Sequence, residues 1–319
     1  MNRARWAWLM GWGVLAFLHV RFGSVASVWE QAWSGSGESA AMGRTILWEL
    51  RALRVVLASA AGAGLAVSGL LLQTWFHNPL AGPSVLGISS GATLGVAMAI
   101  LGGTASFALF GALIGSGVVL AVLWMVSRRF QSPVTLLVFG MMLGYVVGAL
   151  VNVLQVEASK EALQAFVFWG MGSFSRAQGM WTFGVVLATL LGVGWAWFRA
   201  KSLDAWTLGP LTASSMGVSE GAIRTGVVLV TGAIASVVTA ACGPIAFVGV
   251  ATPHLVRMAQ RGRTHRALLP NVVAAGATLA LLADGLVRLS GGSWPLNAVL
   301  SILAGPVIVY VLLKKTWTP

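Results

Sequence analysis

Apolar residues in this chain come in long, nearly unbroken runs, not in the alternating or one-faced patterns of water-soluble folds. A helix needs about 20 apolar residues to cross the hydrocarbon core of a bilayer. Nine runs approach that length, near 6–20, 55–76, 85–101, 107–126, 134–156, 181–198, 225–241, 268–289 and 296–313. A tenth, 245–252, is apolar but short, and Pro244 and Pro253 bracket it. Polar stretches are few. Positions 29–44 read as a loop rich in Ser and Gly, 158–176 as a partly helical connection, and 201–223 as the longest loop on the opposite side. No linker or shift in composition divides the chain, so residues 1–319 read as one domain. The pattern predicts an all-α fold, a polytopic transmembrane helical bundle.

Charge arbitrates the short tenth segment. Lys and Arg collect in cytoplasmic loops of membrane proteins. With a cytoplasmic N-terminus and a crossing at 245–252, the inside holds Arg3, Arg5, Arg128, Arg129, Arg199, Lys201, Arg224, Arg257, Arg261, Arg263, Arg266, Lys314 and Lys315, which is 13 of the 20 basic residues. The outer side keeps Arg21, Arg44, Arg51, Arg54, Lys160, Arg176 and Arg288. Without the crossing the inside count falls to 8. The expectation is therefore about ten spans with both termini in the cytoplasm. A short proline-bounded helix at membrane depth has to be covered by protein or line a wet cavity.

Composition agrees. The chain is 57% hydrophobic and 9% charged, against about 25% charged in ordinary soluble domains. Its 40 glycines suit helices that approach backbone to backbone, and its 15 tryptophans suit interfacial belts. The net charge of +12 would suggest nucleic acid in a soluble protein; here short loops account for it, and no nucleic-acid partner is expected. A single cysteine, Cys242, excludes an internal disulfide. The first apolar run has no small-residue cleavage pattern behind it and is read as a retained helix. The chain contains no G-x-x-x-x-G-K-[ST] loop, no H-E-x-x-H and no paired carboxylates, so neither nucleotide hydrolysis nor metal-assisted hydrolysis is expected of it. An ion-coupled secondary transporter would need several embedded acids. Asp284 is the one acid within a run. It is expected near a span end, paired, or both, with Arg288 at the i, i+4 spacing as a candidate partner.

The most informative stretch begins at Arg51-Ala-Leu-Arg54 and runs into a Gly- and Ser-rich segment thin enough to sit centrally among other helices. Then follow Asn78-Pro79-Leu80-Ala81-Gly82-Pro83, a forced non-helical turn, and Gly87-Ile88-Ser89-Ser90-Gly91. The fifth run carries Gly140, Gly144, Gly148, Asn152 and Gln155, small and weakly polar. Such a face suits a large ligand passing by rocking of helices. The second and fifth runs are expected to line the path.

These blocks resemble the FecCD/BtuC family, the type II importer permeases for iron-siderophores, haem and vitamin B12. Leu72 to Phe76, Asn78-Pro79-Leu80-Ala81 and Leu86-Gly87 with Ser89-Ser90-Gly91 resemble its "NPLAxPxxLGxSSGA" region. Phe168 to Ser173, Leu208-Gly209 with Ala213 and Met216-Gly217-Val218, and Gly243-Pro244 to Gly249 with Pro253-His254 and Arg257 follow in the family's order. Departures are Leu53 between the two arginines, Pro210-Leu211 in place of an acidic pair, and Trp294-Pro295-Leu296-Asn297. The resemblance implies a homodimer with two ATPase subunits, an extracytoplasmic solute-binding protein, a bilayer of the bacterial inner membrane and no cofactor on this chain. ATP and magnesium would sit in the ATPase subunits. It implies docking of the binding protein at Arg51, Arg54 and Arg288. Coupling falls to the loop near 201–223 (Leu208, Gly209, Ala213, Met216, Gly217, Val218), with Arg257 and its arginine-rich loop as a second candidate. Path or structural-motif roles fall to Asn78, Pro79, Gly87, Ser89, Ser90, Gly91, Gly140, Gly144, Gly148, Asn152, Gly243, Pro244, Pro253 and His254.

Overall fold

Long apolar runs in a medium without water must satisfy their backbone groups internally, and they do so here as helices. The computed structural model describes residues 3–22, 28–129, 132–176, 179–260 and 264–313. Among these, α1 (Arg3–Arg21) is followed by α2 (Val28–Ser34) and α3 (Glu38–Thr45). A π-helical turn (Ile46–Ala52) joins α3 without a break to α4 (Leu53–Phe76). Then come α5 (Ile88–Leu101), α6 (Ala108–Arg129), α7 (Pro133–Val156), α8 (Lys160–Gly170), α9 (Gly179–Phe198), α10 (Ala200–Thr207) and α11 (Pro210–Ser215). The chain closes with α12 (Glu220–Cys242), α13 (Val248–Ala259), α14 (His265–Leu289) and α15 (Leu296–Leu313).

Seven of the described helical segments are long and apolar enough to cross a membrane: Glu38–Phe76, Ala105–Arg129, Pro133–Val156, Gly179–Phe198, Glu220–Cys242, His265–Leu289 and Leu296–Leu313. Helix α5 is apolar but shorter. The structure thus counts seven clear spans where the runs suggested about ten; α1, α5 and α13 make up the difference and fall short in length or hydropathy.

Helix α4 is the axis of the bundle. It is buried almost throughout and packs against α9, α12, α13 and α14. This corrects the expectation that it lines an open path. The reason is its small residues, which let neighbours close on every side. Gly69 lies so near the carbonyl of Gly249 on α13 that a Cβ there would stand 1.7 Å from that oxygen. Pro253 explains the contact: it removes the N–H that would bond Gly249 O within the helix, leaving this carbonyl to face α4. Helices α6, α7 and α15 expose most of their apolar surface.

Three further expectations change. Positions 29–44 are not a loop but α2, α3 and the start of the long α3–α4 rod, packed through Val28, Ala32 and Leu47. The segment 201–223 is mostly helical. The short segment 245–252 does not end at Pro253: residues 243–247 are non-helical, and α13 starts at Val248 and runs through Pro253 to Ala259. Of the basic residues used to argue topology, Arg261, Arg263, Lys314 and Lys315 lie outside the described residues, as does the side chain of Arg3.

Candidate functional site

At the end of the bundle holding the start of α4, one carboxylate gathers several bases. Asp284 of α14 is buried, 1% exposed. Arg54 grips it in a fork, with Nε 2.9 Å from Oδ2 and Nη2 2.7 Å from Oδ1. Arg288, one turn on, stands 3.3 Å from Oδ2, and so does His19 Nε2. Arg51 is buried and donates instead to the carbonyls of Val20 and Arg21 at 3.0 and 3.2 Å. Arg288 donates to those of His19 and Phe22. These are orphan carbonyls at the C-terminus of α1, where the helix dipole also favours cations. Arg51, Arg54 and Arg288 therefore do share a region, but they point inward, tying α1 to α4 and α14.

The break between α12 and α13 is held by one side chain. Gly243, at φ 78°, ends α12, and Phe247, at φ 66°, caps α13. Asn297 accepts from Ala246 N–H at 3.1 Å and donates to Pro244 O at 2.7 Å and to Gly170 O at 3.5 Å. Its own N–H reaches Met171 O, and Ser173 N–H reaches Cys242 O at 2.7 Å. Backbone without helical partners is tolerable at membrane depth only when protein satisfies it, and Asn297 does that. The sequence marked Asn297 only as part of a departure from a motif. A lone amide at the head of an apolar run was the signal.

A cavity of about 300 Å³, open to one side, is lined by Ser84, Val85, Gly87, Ser90, Gly140, Met141, Gly144 and Tyr145. It brings together Gly87, Ser90, Gly140 and Gly144 from the expected path. Gly87 has φ 72°, and a Cβ there would meet Gly140 O at 2.6 Å, so only glycine fits. The flanking motif residues build the turn around it. Asn78 Oδ1 accepts from Leu80 N–H, and Pro79 O accepts from His254 Nε2–H at 2.7 Å. Ser89 Oγ lies 3.4 Å from Thr239 Oγ1, and Gly91 packs on Gly115. Pro253 is buried in α13. Gly148, Asn152, Gly243 and Pro244 are not in this cluster; the first two lie further along α7 and the last two at the Asn297 site.

At the opposite end of α4, helices α10 and α11 form a platform. Trp206 stacks on Trp75 with ring centroids 4.5 Å apart and an angle of 15°. Gly209 and Gly217, at φ 105° and 80°, bound α11. Leu208, Leu211 and Met216 are exposed around it, while Ala213 is buried and Val218 packs against the core beside it. Arg257 turns inward and donates to the buried Gln73 of α4 at 2.7 Å. In the first turn of α14, Arg266 covers the Trp197 ring.

Seven helical segments long and apolar enough to cross a membrane, one of them enclosed by its neighbours, define a multi-pass helical membrane protein. The chain belongs to the FecCD transport family, which matches residues 12–314. It is 32% identical over 321 residues to the vitamin B12 import system permease protein BtuC of Klebsiella pneumoniae, covering 97% of this chain and 94% of that one. It is 31% identical over 317 residues to the BtuC protein of an Escherichia coli strain, covering 96% and 95%. Among solved structures, an inward-facing metal-chelate type ABC transporter superposes with a TM-score of 0.86 at 28% identity, over 97% of this chain and 98% of the other. The chain is an ABC-importer permease of the FecCD/BtuC type, a multi-pass protein of the bacterial inner membrane.

Proposed function

We propose that this permease, as a homodimer, carries a metal chelate of the cobalamin class into the cytoplasm. Two separate ATPase subunits supply the energy, and an extracytoplasmic solute-binding protein delivers the ligand. The observation that carries the reading is the cavity at Gly87 and Gly140. Its lining of glycine, serine, valine, methionine and tyrosine holds no charged group, which suits a bulky ligand passing without a tight charged site. The naming of the curated relatives puts cobalamin first; the metal-chelate neighbour keeps haem and iron-siderophores as the next candidates. Each chain crosses ten times, with α1, α5 and α13 joining the seven longer spans, and both termini are cytoplasmic.

The exposed apolar residues around α11 suit burial against an ATPase, so coupling falls to Leu208, Gly209, Ala213, Met216, Gly217 and Val218, with Arg257 holding α13 to α4. ATP and magnesium bind the ATPase subunits, and no cofactor binds this chain. At the other end Arg54 and Arg288 share one carboxylate while Arg51 stands nearby on backbone carbonyls, and this excess of positive charge suits docking of acidic groups on the binding protein. An ion-coupled mechanism is less suited, because Asp284 is already held by two arginines.

The test is reconstitution of the permease with its ATPase and binding-protein partners in vesicles, with cyanocobalamin, haemin and a ferric hydroxamate offered in parallel. ATP-dependent uptake of cyanocobalamin is expected. Uptake of one of the others alone would reassign the ligand, and uptake driven by an ion gradient without ATPase subunits would end the proposal.

A further inference from the structure

The platform end of α4 carries a second polar cluster that none of the roles above uses. Asp204 of α10 places Oδ1 2.7 Å from the backbone N–H of His265 and 2.6 Å from its Nδ1. One carboxylate oxygen thus accepts from both the first residue of α14 and its ring, where the positive end of that helix favours a negative charge. The other ring nitrogen, Nε2, lies 2.8 Å from Thr74 Oγ1 on α4, and Thr74 in turn donates to Leu70 O at 2.9 Å. His265 is 2% exposed and Thr74 5%. A continuous chain of hydrogen bonds, part-buried at Asp204 and buried from His265 onward, therefore runs from α10 through α14 into α4.

Aromatic contacts reinforce it at the adjoining positions. Trp206, two residues beyond Asp204, stacks on Trp75, next to Thr74, and its Nε1–H donates to Trp75 O at 3.3 Å. His77, whose φ of 47° closes α4, donates from Nε2 to Trp206 O at 3.1 Å. Residues 74 and 75 of α4 and its cap His77 are thus each bonded to α10 or to its partner His265. Gly209, which opens α11, bonds back to Trp206 O. On the far side, His77 leads through Asn78 and Pro79 to Ser84 and Gly87 of the cavity. Shifting α10 against α4 would break a stacked pair and leave buried polar atoms without partners.

We propose that Asp204, His265 and Thr74 are positioning residues that make α10, the end of α4 and the start of α14 one rigid body. A push on α11 is then delivered through the end of α4 to the turn that leads to Ser84 and Gly87 of the cavity, and not only along the chain into α12. This rests on the reading of α11 as the contact with the ATPase.

Four variants test it in the full complex reconstituted in vesicles, with cyanocobalamin uptake read per ATP hydrolysed. Thr74→Val keeps shape and removes the hydroxyl; Thr74→Ser keeps the hydroxyl. Asp204→Ala removes the acceptor; Asp204→Asn keeps it. Uptake per ATP should fall about five-fold or more in Thr74→Val and Asp204→Ala, with ATPase rate and subunit capture unchanged, and return in the Ser and Asn variants. Unchanged uptake per ATP in the first two, or loss of subunit capture in them, overturns the proposal. A second readout needs no transport, so it stays decisive if the functional reading itself fails. Spin labels at Leu211→Cys and Val56→Cys, both exposed positions, should give one narrow distance in the otherwise native chain and a broadened one with Thr74→Val. Identical distributions would overturn the rigid body.

Discussion

Arg54 and Asp284, 230 residues apart in the chain, meet in a two-pronged ion pair whose carboxylate is almost wholly buried. A lone carboxylate at a bilayer centre would cost about 2.5–3.5 kcal/mol. This one is offset by Arg54, Arg288 and His19 together. Removing it strands two guanidinium groups that face the same point. Asp284→Ala should lower stability by about 3 kcal/mol, the low end of the range for a broken buried pair. The low end applies because both arginine side chains stay 19% exposed. Arg54→Met combined with Asp284→Ala should recover part of the loss. Thermal unfolding of the purified permease in detergent checks both, and a double variant as unstable as the sum of the singles would count against the pairing.

The same contacts change how docking at this end is tested. Arg51→Glu with Arg54→Glu removes surplus positive charge and also breaks the ties to α1 and α14, so lost docking alone would be ambiguous. Arg54→Lys separates the two effects. It keeps the charge but cannot form the fork. It should lower the unfolding temperature while leaving low-salt affinity for the binding protein within about two-fold, since steering depends on charge and not on fork geometry. The double reversal should lose both. Binding measured at two salt concentrations distinguishes them, and tight, salt-insensitive binding by the double reversal would remove the docking role.

Asn297 gives the third prediction. Its amide serves Ala246 N–H, Pro244 O and Gly170 O at once. Asn297→Leu fills similar space and leaves the Ala246 donor and the Pro244 acceptor unpaired, at about 1–3 kcal/mol each. Asn297→Asp keeps the acceptor and loses the donors, so it should fall between. The expected order of thermal stability is native, Asp, Leu. Equal stability of the Leu variant would mean that residues 243–247 find other partners.

The apolar runs made the helices legible, and the motif blocks made the turn at Asn78 legible, because those features are local; the contact of Gly87 with Gly140 joins two separate runs and was not read. Arg288 with Asp284 could be read from spacing, being one turn apart. What was missed depends on distance along the chain. Asp204, His265 and Thr74 come from three separate segments, and none stands out alone: an acid in a polar stretch, a histidine beside arginines, a threonine in an apolar run. Positions 29–44 looked like a loop because Ser and Gly disfavour helix, yet Val28, Ala32 and Leu47 pack them into one. The central place of α4 was legible from its small residues, but not that its neighbours close on every side of it, since thin helices suit both a path and a crowded centre. Pro253 looked like a boundary; inside α13 it instead frees the Gly249 carbonyl to meet Gly69.

The last prediction concerns Gly217, which closes α11 at φ 80° with nothing within 4 Å of where a Cβ would be. Any effect of substitution there must come from backbone conformation or from an absent partner, not from a clash within the chain. A left-handed backbone costs an ordinary L residue about 1–2 kcal/mol, while asparagine tolerates it better. If α11 must hold its angle to pass on a push, Gly217→Glu should lower uptake per ATP while ATPase activity persists, and Gly217→Asn should stay close to native. The comparison is made in the reconstituted complex with uptake and hydrolysis measured together. Because the site is open, all variants should fold, with the Glu variant unfolding only a few degrees below the native temperature. Normal coupling in the Glu variant would take α11 out of the transmission, whereas loss in both would point to a partner surface that accepts no side chain at this position.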